Sequence, residues 1–136
     1  LVLADIPGII EGAAEGAGLG LRFLKHIART RVLVFLIDVS DHSTDPVHTY
    51  EVLAHEVGRY EETLLEKRRL IVGTKLDVDG ARERFEELSS AQTLADIPKV
   101  VVSAFSGEGL EALMRLLSEM TTAEEKGANS DVRRVF

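Results

Sequence analysis

The sequence has 136 residues, about one domain's length, and is 45% apolar with few aromatics and no Trp, so it can bury an aliphatic core. A formal net charge of −7 and a pI near 5.1 disfavour nonspecific attraction to nucleic acid or an anionic membrane. With no Cys, disulfides and thiolate zinc sites are excluded, and no apolar run approaches the ~18 residues of a membrane span.

The first apolar run, residues 1–4, reads as a strand that ends at Asp5-Ile6-Pro7-Gly8. The start lacks the charged n-region and cleavage pattern of a signal peptide. A carboxylate at a strand tip can hold Mg²⁺ directly or through water, and Gly8 would let a backbone N–H approach a terminal phosphate. A plain Pro-Gly turn is the alternative. Gly8, Gly12, Gly16, Gly18 and Gly20 are five of the chain's eleven glycines. Such a run suits a loop that orders around a ligand. A short helix is expected over residues 21–28, with Leu21, Leu24 and Ala28 on one side.

The second run, residues 32–39, ends at Asp38-Val39-Ser40-Asp41. Gly16-x-Gly18 followed by Asp38 raises a dinucleotide-binding reading, in which Asp38 would bind a ribose and the chain would be an NAD-binding oxidoreductase. That fingerprint needs its glycines directly after a strand, yet Gly16 lies eleven residues beyond Asp5, and the third glycine comes one residue early. Next, Tyr50, Leu53, Val57, Tyr60 and Leu64 recur at steps of three and four and define an apolar helix face. Glu51, Glu56, Glu61, Glu62 and Glu66 read as the solvated face.

The third run, residues 70–73, leads into Thr74-Lys75-Leu76-Asp77. A carboxylate at Asp77 can accept hydrogen bonds from both N1–H and N2–H₂ of guanine, a pattern adenine lacks. Lys75 can lay its methylene stem along the purine face. The alternative is a surface turn with Asp77 or Asp79 capping the next helix, whose apolar side is Ala81, Phe85 and Leu88. The fourth run, residues 99–103, ends at Ser103-Ala104-Phe105. There a small side chain leaves room for the Ala104 N–H to meet guanine O6, unless Ser106 simply caps a helix. Leu110, Leu113, Met114 and Leu117 form a last apolar stripe, with Met114 read as core, and residues 123–136 read as a polar linker or tail. His26, His42, His48 and His55 lack metal-ligand spacing and read as surface residues.

The four runs are continuous rather than alternating, as in strands buried on both faces, and helical segments separate them. The expected fold is a doubly wound α/β sheet with ligands at the carboxyl ends of its strands.

The stretch "DIPGIIEGAAEGAGLGLRFLKHIART" resembles the third G motif and switch II of the Obg family of GTPases; "TKLD" resembles the fourth motif and "SAFSGEGL" the fifth. The resemblance implies a P-loop NTPase-like three-layer α/β/α fold with a mostly parallel sheet. Residues 1–122 would form a partial OBG-type G domain. By position it implies GTP-binding roles for Asp5, Ile6, Pro7, Gly8, Thr74, Lys75, Leu76, Asp77, Ser103, Ala104 and Phe105. Asp5 would act at Mg²⁺, through water, and Gly8 at the γ-phosphate. Thr74 stands where the family usually has Asn. Ile9 stands where many GTPases carry a water-orienting Gln, so hydrolysis is expected to be slow and no catalytic residue is assigned.

No G-x-x-x-x-G-K-[ST] and no switch I segment occur in the 136 residues, so the expectation is the C-terminal two-thirds of a G domain, with N-terminal strands missing. The intact protein would be a cytoplasmic, Mg²⁺-dependent GTPase that binds GTP and GDP and acts in assembly of the large ribosomal subunit, without DNA or a membrane span. The alternative is a non-hydrolysing remnant that serves as a ribosome- or partner-binding module. In the resembled fold the phosphate-loop strand lies between runs 1–4 and 32–39. The sheet should therefore show either a gap of ~10 Å there or another segment filling it. The last three runs should pair in parallel and consecutively.

Overall fold

The computed structural model describes residues 1–4, 29–122 and 133–135. Among these residues five strands form one sheet: β1 (Val2–Ala4), β2 (Val32–Asp38), β3 (Arg68–Thr74), β4 (Lys99–Val101) and β5 (Arg133–Val135). Among the described residues three α-helices connect or follow them: α1 (Pro46–Tyr60), α2 (Ala81–Ser90) and α3 (Leu110–Thr122). The order across the sheet is β1-β5-β2-β3-β4, and every pair is parallel. Pairing of β2 with β3 and of β3 with β4 is thus parallel and consecutive, as the continuous apolar runs require.

The place between β1 and β2 is filled by β5, which pairs with Val2–Ala4 on one side and with Val32 and Leu33 on the other. The polar tail therefore carries a strand that its composition did not signal. The expected helix over residues 21–28 lies outside the described residues.

Alternation along β2 builds two cores. Leu33, Phe35, Ile37 and Val39 pack with Tyr50 and Val57 of α1, and with Ala81 and Leu88 of α2. Val32 and Val34 pack with Leu70, Val72 and Val102, under Leu117 and Met120 of α3. Phe35 and Tyr50 meet edge to face, with ring centroids 5.0 Å apart. The second face is covered only in part: Leu36, Leu110 and Met114 remain exposed. Met114 is therefore not a core residue, and only Leu113 and Leu117 of the predicted four-residue stripe join that core.

Strand β3 begins earlier than the apolar run, because two arginines find acceptors at the bottom of the sheet. Arg68 donates to the Met120 carbonyl at 2.7 Å, near the end of α3, and Arg69 donates to the Tyr50 hydroxyl at 3.0 Å. Asp45 caps α1, its Oδ1 accepting from the Val47 N–H at 2.9 Å, with Pro46 in the first turn. The apolar face of α1 carries one exception to the predicted pattern. Glu56, assigned to solvent, is buried; Oε1 lies 3.8 Å from Arg59, while Oε2 has no hydrogen-bond partner among the described residues. Leu64 is buried as expected, though on a 3₁₀ turn, Glu62–Glu66, rather than on α1.

Candidate functional site

The parallel register brings the carboxyl ends of β2, β3 and β4 to one edge of the sheet. Asp38 sits opposite Thr74, and Gly73 opposite Val101. Ladder bonds continue one step past the strands. The Val39 N–H donates to the Thr74 carbonyl at 3.2 Å, and the Leu76 N–H to the Val102 carbonyl at 3.1 Å. Leu76 is buried, so it anchors the turn, while Lys75 and Asp77 on either side of it are exposed. Lys75 takes a positive φ of 66°, uncommon for a side chain other than Gly. Thr74 leans back toward β2, its hydroxyl donating to the Ile37 carbonyl at 3.4 Å.

Asp77 does not cap α2. The N-cap position there belongs to Gly80, which makes no side-chain cap bond. Asp77 is instead joined to the end of β4. The buried Ser103 donates from Oγ to Asp77 Oδ1 at 2.7 Å, and the same Oγ accepts from the Ser106 N–H at 3.0 Å. The Ser103 carbonyl accepts from the Gly107 N–H at 2.8 Å, and its own N–H donates to the Glu108 carbonyl at 2.9 Å. Four hydrogen bonds thus converge on one serine and fix the turn that carries Ala104 and Phe105, both exposed. Arg82 and Glu108 pair at 2.8 Å between the start of α2 and the same turn. The hydroxyl of Ser106 accepts from the Glu108 N–H at 3.3 Å within this turn.

Asp38 is a member of the site that reading the motifs as separate units did not supply. Its Oδ2 lies 2.6 Å from Lys75 Nζ, while Oδ1 accepts from the Ser40 N–H at 2.8 Å and the Ser40 hydroxyl at 2.6 Å. The signal was available: two adjacent parallel strands of equal length place the acid ending one beside the lysine following the other. These bonds engage the carboxylate within the chain, which weakens its reading as a ribose-binding acid. Partial burial pushes the Asp38 carboxyl up, but the bonds from Lys75 and Ser40 outweigh it and hold it below its ordinary value. Lys75 is raised, chiefly by its hydrogen bond to Asp38. Asp41 is lowered by its bonds from the hydroxyl and N–H of Ser43.

A carboxyl lowered by folding contributes stability above its unfolded value, ~3.9, and that contribution is lost as pH falls through the lowered folded value. A raised lysine contributes below its unfolded value, ~10.4, and loses that contribution as pH rises through the folded one. The pair should therefore persist across the whole neutral range. Carbon-detected titration of Asp38 is expected to give a midpoint below the ordinary carboxylate value that moves up in Lys75→Met; an unmoved midpoint would refute the pairing.

Asp5, Ile6, Pro7 and Gly8 lie outside the described residues. The remaining predicted positions, Thr74, Lys75, Leu76, Asp77, Ser103, Ala104 and Phe105, come together at the one sheet edge.

Residues 1–75 match a family described as 50S ribosome-binding GTPases, more than half of the chain. The chain belongs to this family. Within the 50S ribosome-binding GTPase family its similar relatives are Obg GTPases. It is 43% identical over 123 residues to the GTPase Obg of Solibacter usitatus, covering 90% of this chain and 36% of that protein. It is 43% identical over 135 residues to the GTPase Obg of Treponema denticola, covering 96% and 34%. It is 47% identical over 118 residues to that of Borrelia turicatae, covering 86% and 35%. The chain thus spans about a third of the length of the curated relatives it matches. A parallel sheet with helices packed against both faces is the partial P-loop NTPase-like fold expected of such a member.

Proposed function

We propose that the sheet edge formed by Lys75, Asp77, Ser103 and Ala104 binds the guanine base of GTP or GDP, as part of an Obg-type GTPase. The observation that carries this reading is the 2.7 Å bond from Ser103 to Asp77. It ties one carboxylate oxygen of the exposed acid to the residue that precedes Ala104 in the chain. An acceptor for N1–H and N2–H₂ and an N–H for O6 then stand on neighbouring turns. Lys75 supplies a methylene wall for the ring. Thr74 and Leu76 set the turn rather than touch the base, since one braces β2 and the other is buried.

Asp5, with Ile6, Pro7 and Gly8, would act at the phosphates, Asp5 holding Mg²⁺ through water. No metal-binding cluster occurs among the described residues, so this assignment rests on the motif alone. The G domain would extend over residues 1–122. In the whole protein the activity would be slow GTP hydrolysis in the cytoplasm, with the large ribosomal subunit as partner. No helix among the described residues is long and apolar enough to cross a membrane.

Phosphate contacts supply much of a GTPase's affinity, and the 136 residues contain no phosphate-loop motif. This chain alone should therefore bind guanine nucleotides weakly but selectively. Titrating the ¹⁵N-labelled chain with millimolar GMP should shift the amides of Asp77 and Ala104, and AMP should not. Equal responses to the two nucleotides, or none, would sink the assignment. Calorimetry that found submicromolar GTP affinity would contradict the dependence on a phosphate loop.

A further inference from the structure

We infer that Asp38 is a positioning residue for the base site: by holding the Lys75 ammonium, it fixes the methylene stem where that stem would wall the purine ring. This rests on the guanine-binding reading above and adds a residue that would itself touch no part of the nucleotide. Thr74 stands opposite Asp38 in the parallel register. Were β3 to continue, Lys75 would point to the face away from both. Its φ of 66° breaks that alternation, and Nζ comes to 2.6 Å from Asp38 Oδ2. The uncommon backbone conformation and the ion pair therefore belong to one arrangement.

Both ends of the stem are held. At the backbone, the Thr74 carbonyl accepts from the Val39 N–H at 3.2 Å, and the Leu76 N–H donates to the Val102 carbonyl at 3.1 Å. The Lys75 carbonyl itself accepts from the Val78 N–H at 3.1 Å. At the tip, Asp38 is already ordered, because its Oδ1 accepts from the N–H and the hydroxyl of Ser40 at 2.8 and 2.6 Å. An exposed ion pair between two mobile side chains is worth little, since ordering both offsets the attraction. Here only the lysine has to be ordered, and its stem stays exposed to a ligand. A lysine side chain carries much rotamer entropy, and a wall that is loose before binding must be ordered during it. Asp38 moves that ordering from the binding step to folding.

Asp38→Asn separates the acid from the lysine. The amide oxygen would take both Ser40 bonds, which turns the amide nitrogen toward the Lys75 ammonium and sets donor against donor. By amide-shift titration, GMP affinity should fall about two- to tenfold, the range for one long side chain that must be ordered on binding. The same change in a Lys75→Met background, which has no ammonium to hold, should have no effect. In the unliganded parent, ¹³C relaxation at Lys75 Cε should show a methylene restrained on the ps–ns timescale, and Asp38→Asn should release it. Unchanged GMP affinity in Asp38→Asn, or an equal loss in both backgrounds, would overturn the positioning role and leave the guanine site standing. So would free motion of Cε in the parent, a result that needs no variant to fold. If GMP moves neither the Asp77 nor the Ala104 amide of the parent, both readings fall together.

Discussion

Gly109→Ala should destabilise the chain by about 2–5 kcal/mol, a large part of the ~5–15 kcal/mol that holds a typical domain together. Gly109 has a φ of +81°, and a Cβ built there falls 2.1 Å from the Val101 carbonyl oxygen and 3.2 Å from Val102 Cα. The left-handed conformation alone costs an L residue roughly 1–2 kcal/mol. The clash adds an overpacking cost of about 1–3 kcal/mol, because the obstructing atoms are backbone and cannot rotate away. Val101 is part of β4, held by its pairing with Gly73, and the Gly109 carbonyl accepts the Leu113 N–H at 2.9 Å in the first turn of α3. Relief of the clash must therefore move either the strand or the helix. Gly107→Ala is the internal control: its φ is +83°, but a Cβ there meets nothing within 4 Å. Urea unfolding should show Gly107→Ala losing only the conformational part, about 1–2 kcal/mol. Equal losses for the two variants would mean that α3 does not sit against β4 as closely as described.

Much of this architecture was readable because buried parallel strands leave a strong trace. The apolar runs of β2 and β3 have no polar interruption, and their pairing follows from the helix between them. What was lost followed from contacts made at a distance. Arg68 and Arg69 extend β3 because their acceptors lie on α3 and α1, which no local pattern reveals. Glu56 looks like one more acid on an acidic helix, yet it falls beside Leu53, Val57 and Tyr60 at steps of three, one and four, and ends up buried. Met114 matched the stripe of α3, but a helix buries only the part of its stripe that the sheet reaches. The strand β5 was hidden because a three-residue run with two arginines carries no period-two signal.

The site divides the same way. Asp77 and Ser103 were legible as motif members, since the spacing of residue types at strand ends is itself the signal. The bond between them and the Asp38–Lys75 pair belong to tertiary register. They appear only when three strand ends are laid side by side.

Asp77→Asn should weaken GMP binding ten- to hundredfold and raise the affinity for XMP, so that the preference between the two bases inverts. Guanine presents two donors to this position, N1–H and N2–H₂, and a carboxylate accepts both. In the variant the Ser103 hydroxyl still needs an acceptor, because its Oγ already accepts from Ser106 and its proton now points at residue 77. The amide oxygen will take that bond, which turns the amide nitrogen toward the base. Guanine N2–H₂ then faces another donor, and a hydrogen bond to a charged acceptor, typically ~1.5–3 kcal/mol, is lost. Xanthine carries a carbonyl in place of the 2-amino group, so the turned amide can donate to it. Because the Ser103 bond survives the substitution, the fold should lose little, within about 0.5 kcal/mol as for most surface changes. Amide-shift titrations with GMP and XMP on the parent and the variant give the four affinities required. A parallel fall in both affinities would point to damage of the turn, and four unchanged affinities would remove Asp77 from the base site.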